Sequence, residues 1–203
     1  MNNLASKPST EDAAWAAVNT PLSVDDLKSF CLDIERLFRI NPMLEFKSFK
    51  TLGDNRYAMV GKNISQEGAF DFDVSFKVTE LEDGLRIDYD NGIKSSTVVQ
   101  ITEAPTGSKL TITDYYERLP EKDREKQLDK VDRSLVRWAE YLQRFLVMWK
   151  RLHGWAPWRW YMRSVWQPMK PPARRITYML LWISAVEVAL IALGAAIWFA
   201  EYS

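Results

Sequence analysis

Cysteine occurs once in these 203 residues, as Cys31, and histidine once, as His153. A single cysteine excludes an internal disulfide and suits a reducing compartment. One His and one Cys cannot build a His/Cys metal cluster, and a Cys–His nucleophilic pair would need the fold to join two distant residues. The eight glycines are scattered among turns, so no glycine-rich phosphate loop is present. No catalytic constellation emerges. The chain reads as a non-enzyme with no cofactor and no metal. An excess of basic charge is missing too, with 27 basic against 27 acidic residues. Setting aside the five cations after His153 and the acids Glu187 and Glu201 leaves 22 against 25 over residues 1–153, a net −3. A mildly acidic body argues against nucleic acid as a partner. The opening MNNLASKPSTED has no basic stretch followed by an apolar run, so no secretory signal is expected. Residues 1–12 read as a disordered tail.

One long apolar run is present. Ile176–Ala200 reads ITYMLLWISAVEVALIALGAAIWFA, about 37 Å as a helix, enough to cross a ~30 Å hydrocarbon core with some tilt. Residues 176–200 are therefore expected to be a transmembrane helix, making a single-pass, tail-anchored membrane protein. Residues 154–175 carry five cations and no acid, and no Lys or Arg follows the run. The positive-inside rule then places the body in the cytoplasm, as at a bacterial inner membrane. Within 154–175, Trp155, Trp158, Trp160, Tyr161 and Trp166 interleave with Arg159 and Arg163, and Arg174 and Arg175 close the stretch. Indoles and arginines favour the headgroup level, so these nine residues are expected in an amphipathic interfacial segment. A folded extension of the soluble body is the alternative. Pro168, Pro171 and Pro172 suggest a semi-rigid bend into the span. Glu187 falls near mid-span, where a carboxylate is costly. Ala185, Ala189, Ala192 and Ala196 form a small-residue seam on roughly the opposite side. Both are candidate helix–helix contacts with a membrane-protein partner or a second copy.

Residues 13–153 are long enough for one domain with a sizeable core. Ala13–Asn19 reads as a first strand. Ser23 looks like an N-cap, and Leu27, Phe30, Cys31, Ile34, Leu37 and Phe38 repeat at helical spacing up to Asn41-Pro42. One helix fits, or two broken near Asp33. From Leu44 to Arg118 the period becomes two, clearest in Phe70, Phe72, Val74, Phe76 and Val78 against Asp71, Asp73, Ser75 and Lys77. Turn signals separate six such strands. After Pro120, a stripe of Leu128, Val131, Leu135, Trp138, Leu142, Phe145, Trp149 and Leu152 predicts a long helix covering the sheet, or else a coiled-coil seam.

That order of elements, with VNTPLSVDDLKSFCLDIERLFRINP at Val18–Pro42 and Trp138, Tyr141, Leu142 and Phe145 on the last helix, resembles the helix-grip fold of the START-like (SRPBCC) superfamily over about residues 13–150. The resemblance implies an α+β fold whose antiparallel sheet wraps a long C-terminal helix around an apolar cavity. It also implies a hydrophobic ligand: members of the superfamily bind lipids, sterols, quinones or polyketides, and some are cyclases.

The inner faces offer Phe70, Phe72, Val74, Phe76, Leu85, Ile87, Tyr89, Val99, Ile101, Leu110 and Ile112 as cavity residues, roofed by Leu135, Trp138 and Leu142. A filled core would use the same residues. Asp114 continues the Leu110, Ile112 alternation and so puts a carboxylate on the dry face, where it needs a partner and can orient a ligand's polar end. A bulge would instead turn Tyr115 inward. Tyr89, Tyr115 and Tyr116 are either cavity hydroxyls or ordinary packing. The reading is a membrane-anchored carrier of a lipid, hopanoid or isoprenoid quinone. An assembly subunit of a membrane complex and a cyclase-like enzyme are the alternatives.

Overall fold

In the computed structural model, which describes residues 13–65, 69–118 and 121–202, the chain opens with β1 (Ala13–Thr20) and the short helices α1 (Val24–Cys31) and α2 (Ile34–Arg39). Six strands follow: β2 (Leu44–Gly53), β3 (Arg56–Asn63), β4 (Phe70–Leu81), β5 (Gly84–Tyr89), β6 (Ser96–Ala104) and β7 (Gly107–Tyr115). Then come α3 (Glu121–Leu152), α4 (Ala156–Tyr161), a π-helical turn at Met162–Trp166 and α5 (Pro171–Tyr202). The tail at residues 1–12, Pro120, and the side chains of Leu128 and Val131 lie outside the described residues.

Local chemistry sets the breaks. The Ser23 hydroxyl accepts from the Asp26 amide at 3.1 Å and starts α1, and the Asp33 carboxylate accepts from the Arg36 amide at 3.2 Å and starts α2. The helical stripe is thus two helices split at Asp33, because its side chain satisfies an amide that a continuous helix would use. Between β2 and β3, Asp54 (φ 49°) and Asn55 (φ 57°) take left-handed conformations that these two residue types tolerate best after glycine. The seven strands order as β1-β7-β6-β5-β4-β3-β2, every pair antiparallel. The first strand returns to pair with the last, Ala13 opposite Tyr115 and Thr20 opposite Ser108. This is the α+β helix-grip arrangement.

The long helix covers the sheet. Leu135, Trp138, Leu142 and Phe145 are buried as their spacing demands, with Ala139 and Leu146 beside them. They share one core with Leu85, Ile87, Val99, Leu110 and Ile112, all within 1 % of full burial. Each such side chain contributes on the order of 1.5–3 kcal/mol by leaving water, an upper figure because an unfolded chain already hides some of it. Trp138 fixes the register of the layers. Its ring stacks on Phe38 at 5.7 Å, and its indole N–H donates to the Leu37 carbonyl at 3.1 Å. Leu152, the last residue of α3, is exposed.

Candidate ligand cavity

The interior is not filled along its whole length. At the end where β3 finishes, β4 begins and the β5–β6 turn lies, a cavity of about 450 Å³ separates sheet from helix. That volume is in the range of small-molecule sites. Phe38, Met59, Phe72, Val74 and Trp138 give it an apolar wall, and Asn41, Asn63, Ser65, Asn91 and Ser134 bring polar groups to it. The hollow end has a distinct chemistry as well as a shape. Here the inner face carries a charge.

Asp114 is 1 % exposed on β7. The β6–β7 register runs without a shift from Ser96↔Tyr115 to Ala104↔Gly107, so the parity of Leu110, Ile112 and Asp114 holds and Tyr115 points to the other face. The carboxylate is satisfied by three donors. Lys94 Nζ forms an ion pair with Oδ2, the Thr97 hydroxyl donates to Oδ1, and the Tyr116 hydroxyl donates to Oδ2 at 3.3 Å. A buried carboxylate is tolerated only with such partners. Tyr89 Oη lies 3.2 Å from Thr97 Oγ1. Because the single Thr97 proton goes to Asp114, Tyr89 must be the donor in that contact. Burial and the Asp114 charge push the Tyr89 phenol far above its usual range, so it keeps that proton at any working pH. Asp114 does not line the cavity, whereas Lys94, Tyr89 and Tyr116 do. The acid is therefore a scaffold, and what it holds faces the space. The Lys94 side chain stays one-third exposed (34 %), and an ammonium has more protons than the one given to Asp114.

Of the residues expected to form a cavity, Phe70, Phe72, Val74, Tyr89 and Trp138 line it. Phe76, Leu85, Ile87, Val99, Ile101, Leu110, Ile112, Leu135 and Leu142 are instead packed core and do not line it. The strand residues among them lie where the layers touch: β5, β6 and β7 run against α1, and Phe76 meets Phe38 of α2 at 5.4 Å. Lys94, Thr97, Phe38 and Met59 were not anticipated. Lys94 could have been sought from Asp114, since a buried acid calls for a cation within reach, but its loop position gives no periodic signal. Among the described residues no three His, Cys, Asp or Glu side chains converge on a point.

The aromatic segment after α3 differs from the interfacial expectation. Trp158, Tyr161 and Trp166 pack against the core with buried Met162. Trp166 lies 5.5 Å from the ring of Phe145, and Phe145 stacks on Trp149 at 5.9 Å. Arg174 also turns inward: it donates to the carbonyls of Arg39 at 2.6 Å, Gln167 at 2.9 Å and Trp166 at 3.1 Å, over the Trp166 ring at 4.1 Å. These four residues thus belong to a folded extension, which covers the rings of Phe145 and Trp149 at the end of α3. Trp155, Arg159, Trp160, Arg163 and Arg175 face outward. Among the described residues, one helix is long and apolar enough to cross a membrane, Pro171–Glu201; its first turn touches the domain, and its most apolar stretch is not buried against the rest of the chain. Ala185, Glu187, Ala189, Ala192 and Ala196 all lie exposed on it.

No family model matches the chain, and no curated protein matches it. Solved structures do. The protein TTHA0849 from Thermus thermophilus aligns with 67 % of this chain and 97 % of its own, at a TM-score of 0.53 and 12 % identity. A Rhodobacter sphaeroides protein aligns with 72 % of this chain and 97 % of its own, at 0.50 and 12 %. The di-domain ARO/CYC StfQ from the steffimycin biosynthetic pathway aligns over 71 % of this chain and 53 % of its own, at 0.50 and 10 %. At such identities the likeness is one of fold. It is the helix-grip fold that this chain shares with them.

Proposed function

We propose that the chain is a membrane-anchored carrier whose helix-grip domain takes a hydrophobic small molecule, of the class of a lipid, hopanoid or isoprenoid quinone, from the cytoplasmic leaflet of a bacterial inner membrane. One observation carries the reading: an apolar-walled cavity of about 450 Å³ with Lys94, Tyr89 and Tyr116 organised on its surface by a buried carboxylate. The apolar wall suits a tail. The polar groups suit a single polar end of the same molecule. The apolar α5, exposed beyond its first turns, is the anchor, and Arg174 ties its first turn to the Arg39 carbonyl, two residues from Asn41 at the cavity. The cavity would then stand close to the bilayer that supplies its ligand. Asp114, the acid of the cyclase-like reading, does not line the cavity, and the two acids that do, Asp71 and Asp73, are exposed to solvent, which favours carriage over turnover. Purification of the full chain from its native membrane in mild detergent, followed by mass spectrometry of organic extracts, tests this. One lipid class enriched with the protein is expected. A chain free of bound lipid, with a cavity holding only water, would defeat it.

The exposed Glu187 and the alanine seam favour a second reading, an assembly subunit that contacts another membrane helix. Its expected result is a co-purifying protein lost on Glu187→Leu. Monomer in both proteins would count against it.

A further inference from the structure

Between Glu140 and Glu187 the chain has no acidic residue, and eight Lys or Arg fall in that interval. Arg174 is taken up by backbone carbonyls, Lys150 pairs with Asp26 at 3.7 Å, and Arg144 lies over the Tyr141 ring. The other five, Arg151, Arg159, Arg163, Lys170 and Arg175, are exposed, and among the described residues no carboxylate pairs with any of them. Arg159 donates to the His153 carbonyl at 2.6 Å, which steadies the side chain without cancelling its charge. Beside them Trp155 and Trp160 are 61 % and 64 % exposed. The segment is thus sorted into two sides. Trp158, Tyr161, Met162 and Trp166 hold it to the domain, so its outer side is not free to roll inward and shed its charge. Uncompensated cations beside bare indoles, directly before a helix long enough to span a bilayer, match one surface in both charge and polarity.

We infer that this outer side rests on the bilayer itself and requires anionic phospholipid there, the cations meeting headgroup phosphates and Trp155 and Trp160 lying at headgroup depth. The inference rests on the reading of α5 as a membrane anchor. It adds that the domain is held in one attitude by lipid charge, rather than hanging from a tether. Since α4 and the π-helical turn are packed on the domain, that attitude would fix the cavity's approach to the membrane as well.

The test uses the full chain in nanodiscs of phosphatidylcholine alone and of an equal mixture with phosphatidylglycerol, reading hydrogen exchange of the backbone amides of residues 155–163. A cation near an anionic surface favours contact by roughly fivefold, so exchange in the mixed discs should be slower by about tenfold or more. The protection should vanish at about 1 M salt, where the screening length falls to about 3 Å. It should fall several-fold in the Arg159→Gln, Arg163→Gln double variant, which touches no buried contact. Equal exchange in the two lipids at low salt would overturn the inference while leaving the anchor standing. A chain that does not enter the discs would overturn the anchor and the inference together.

Discussion

The two ends of one sheet–helix layer differ, although the same alternation builds both. At one end Leu85, Ile87, Val99, Leu110 and Ile112 share one core with Leu142 and close to full burial. At the other, Phe72, Val74 and Met59 face Trp138 and Ser134 across an open space, beside an ion pair that no packed hydrocarbon core would accept. The difference teaches where the fold accommodates an inward charge. A carboxylate at position 114 recruits Lys94, Thr97 and Tyr116, and of these Lys94 and Tyr116 also border the open space. The packed end supplies stability, and the hollow end supplies a place for something else.

Substitutions can break or sharpen that contrast. Leu142→Ala removes a wholly buried side chain from the packed end and should cost about 2–5 kcal/mol in chemical denaturation of the domain. A loss under about 1 kcal/mol would mean that the packed end is not the stable one. Asp114→Ala strips the acceptor from Thr97, Tyr116 and Lys94 at once. Because Lys94 can still reach water, we expect a loss of about 2 kcal/mol, on the scale of unpaired buried donors. Asp114→Asn, which keeps the shape, should lose less. Val74→Ala at the hollow end trims a wall rather than opening a void. Its cost should stay below about 1 kcal/mol, compared with the Leu142 variant in the same denaturation series. The smallest effect is kinetic silence: burial pushes the Cys31 thiol up to about 12, so at about pH 8 it stays protonated and should resist maleimide in the folded chain while labelling in urea. Rapid labelling of the native protein would show that the packed end opens.

Much of this was legible in the sequence, and the exceptions have physical causes. Period-two alternation marked the six later strands, the Asp33 cap explains the split helix, and parity at Leu110, Ile112 and Asp114 already put the carboxylate inside. Parity says which face a residue is on, not how far away the opposite layer lies. Phe72 and Phe76 are therefore indistinguishable by pattern, yet one borders a cavity and the other is core. Lys94 sits in a turn, where no period operates. Trp158 and Trp166 have the same sequence signature as Trp155 and Trp160. Which indoles find cover depends on Phe145 and Trp149, brought near by tertiary structure alone.

The central claim is that the hollow end carries a hydrophobic ligand. It is tested most directly by measuring bound lipid per chain in the wild type and in Val74→Trp, which fills space at the cavity wall, after identical extraction and with melting temperatures recorded for both. The account predicts about one bound molecule in the wild type and little or none in the variant, with the fold retained. Equal lipid in both proteins would place the bound molecule elsewhere and contradict it.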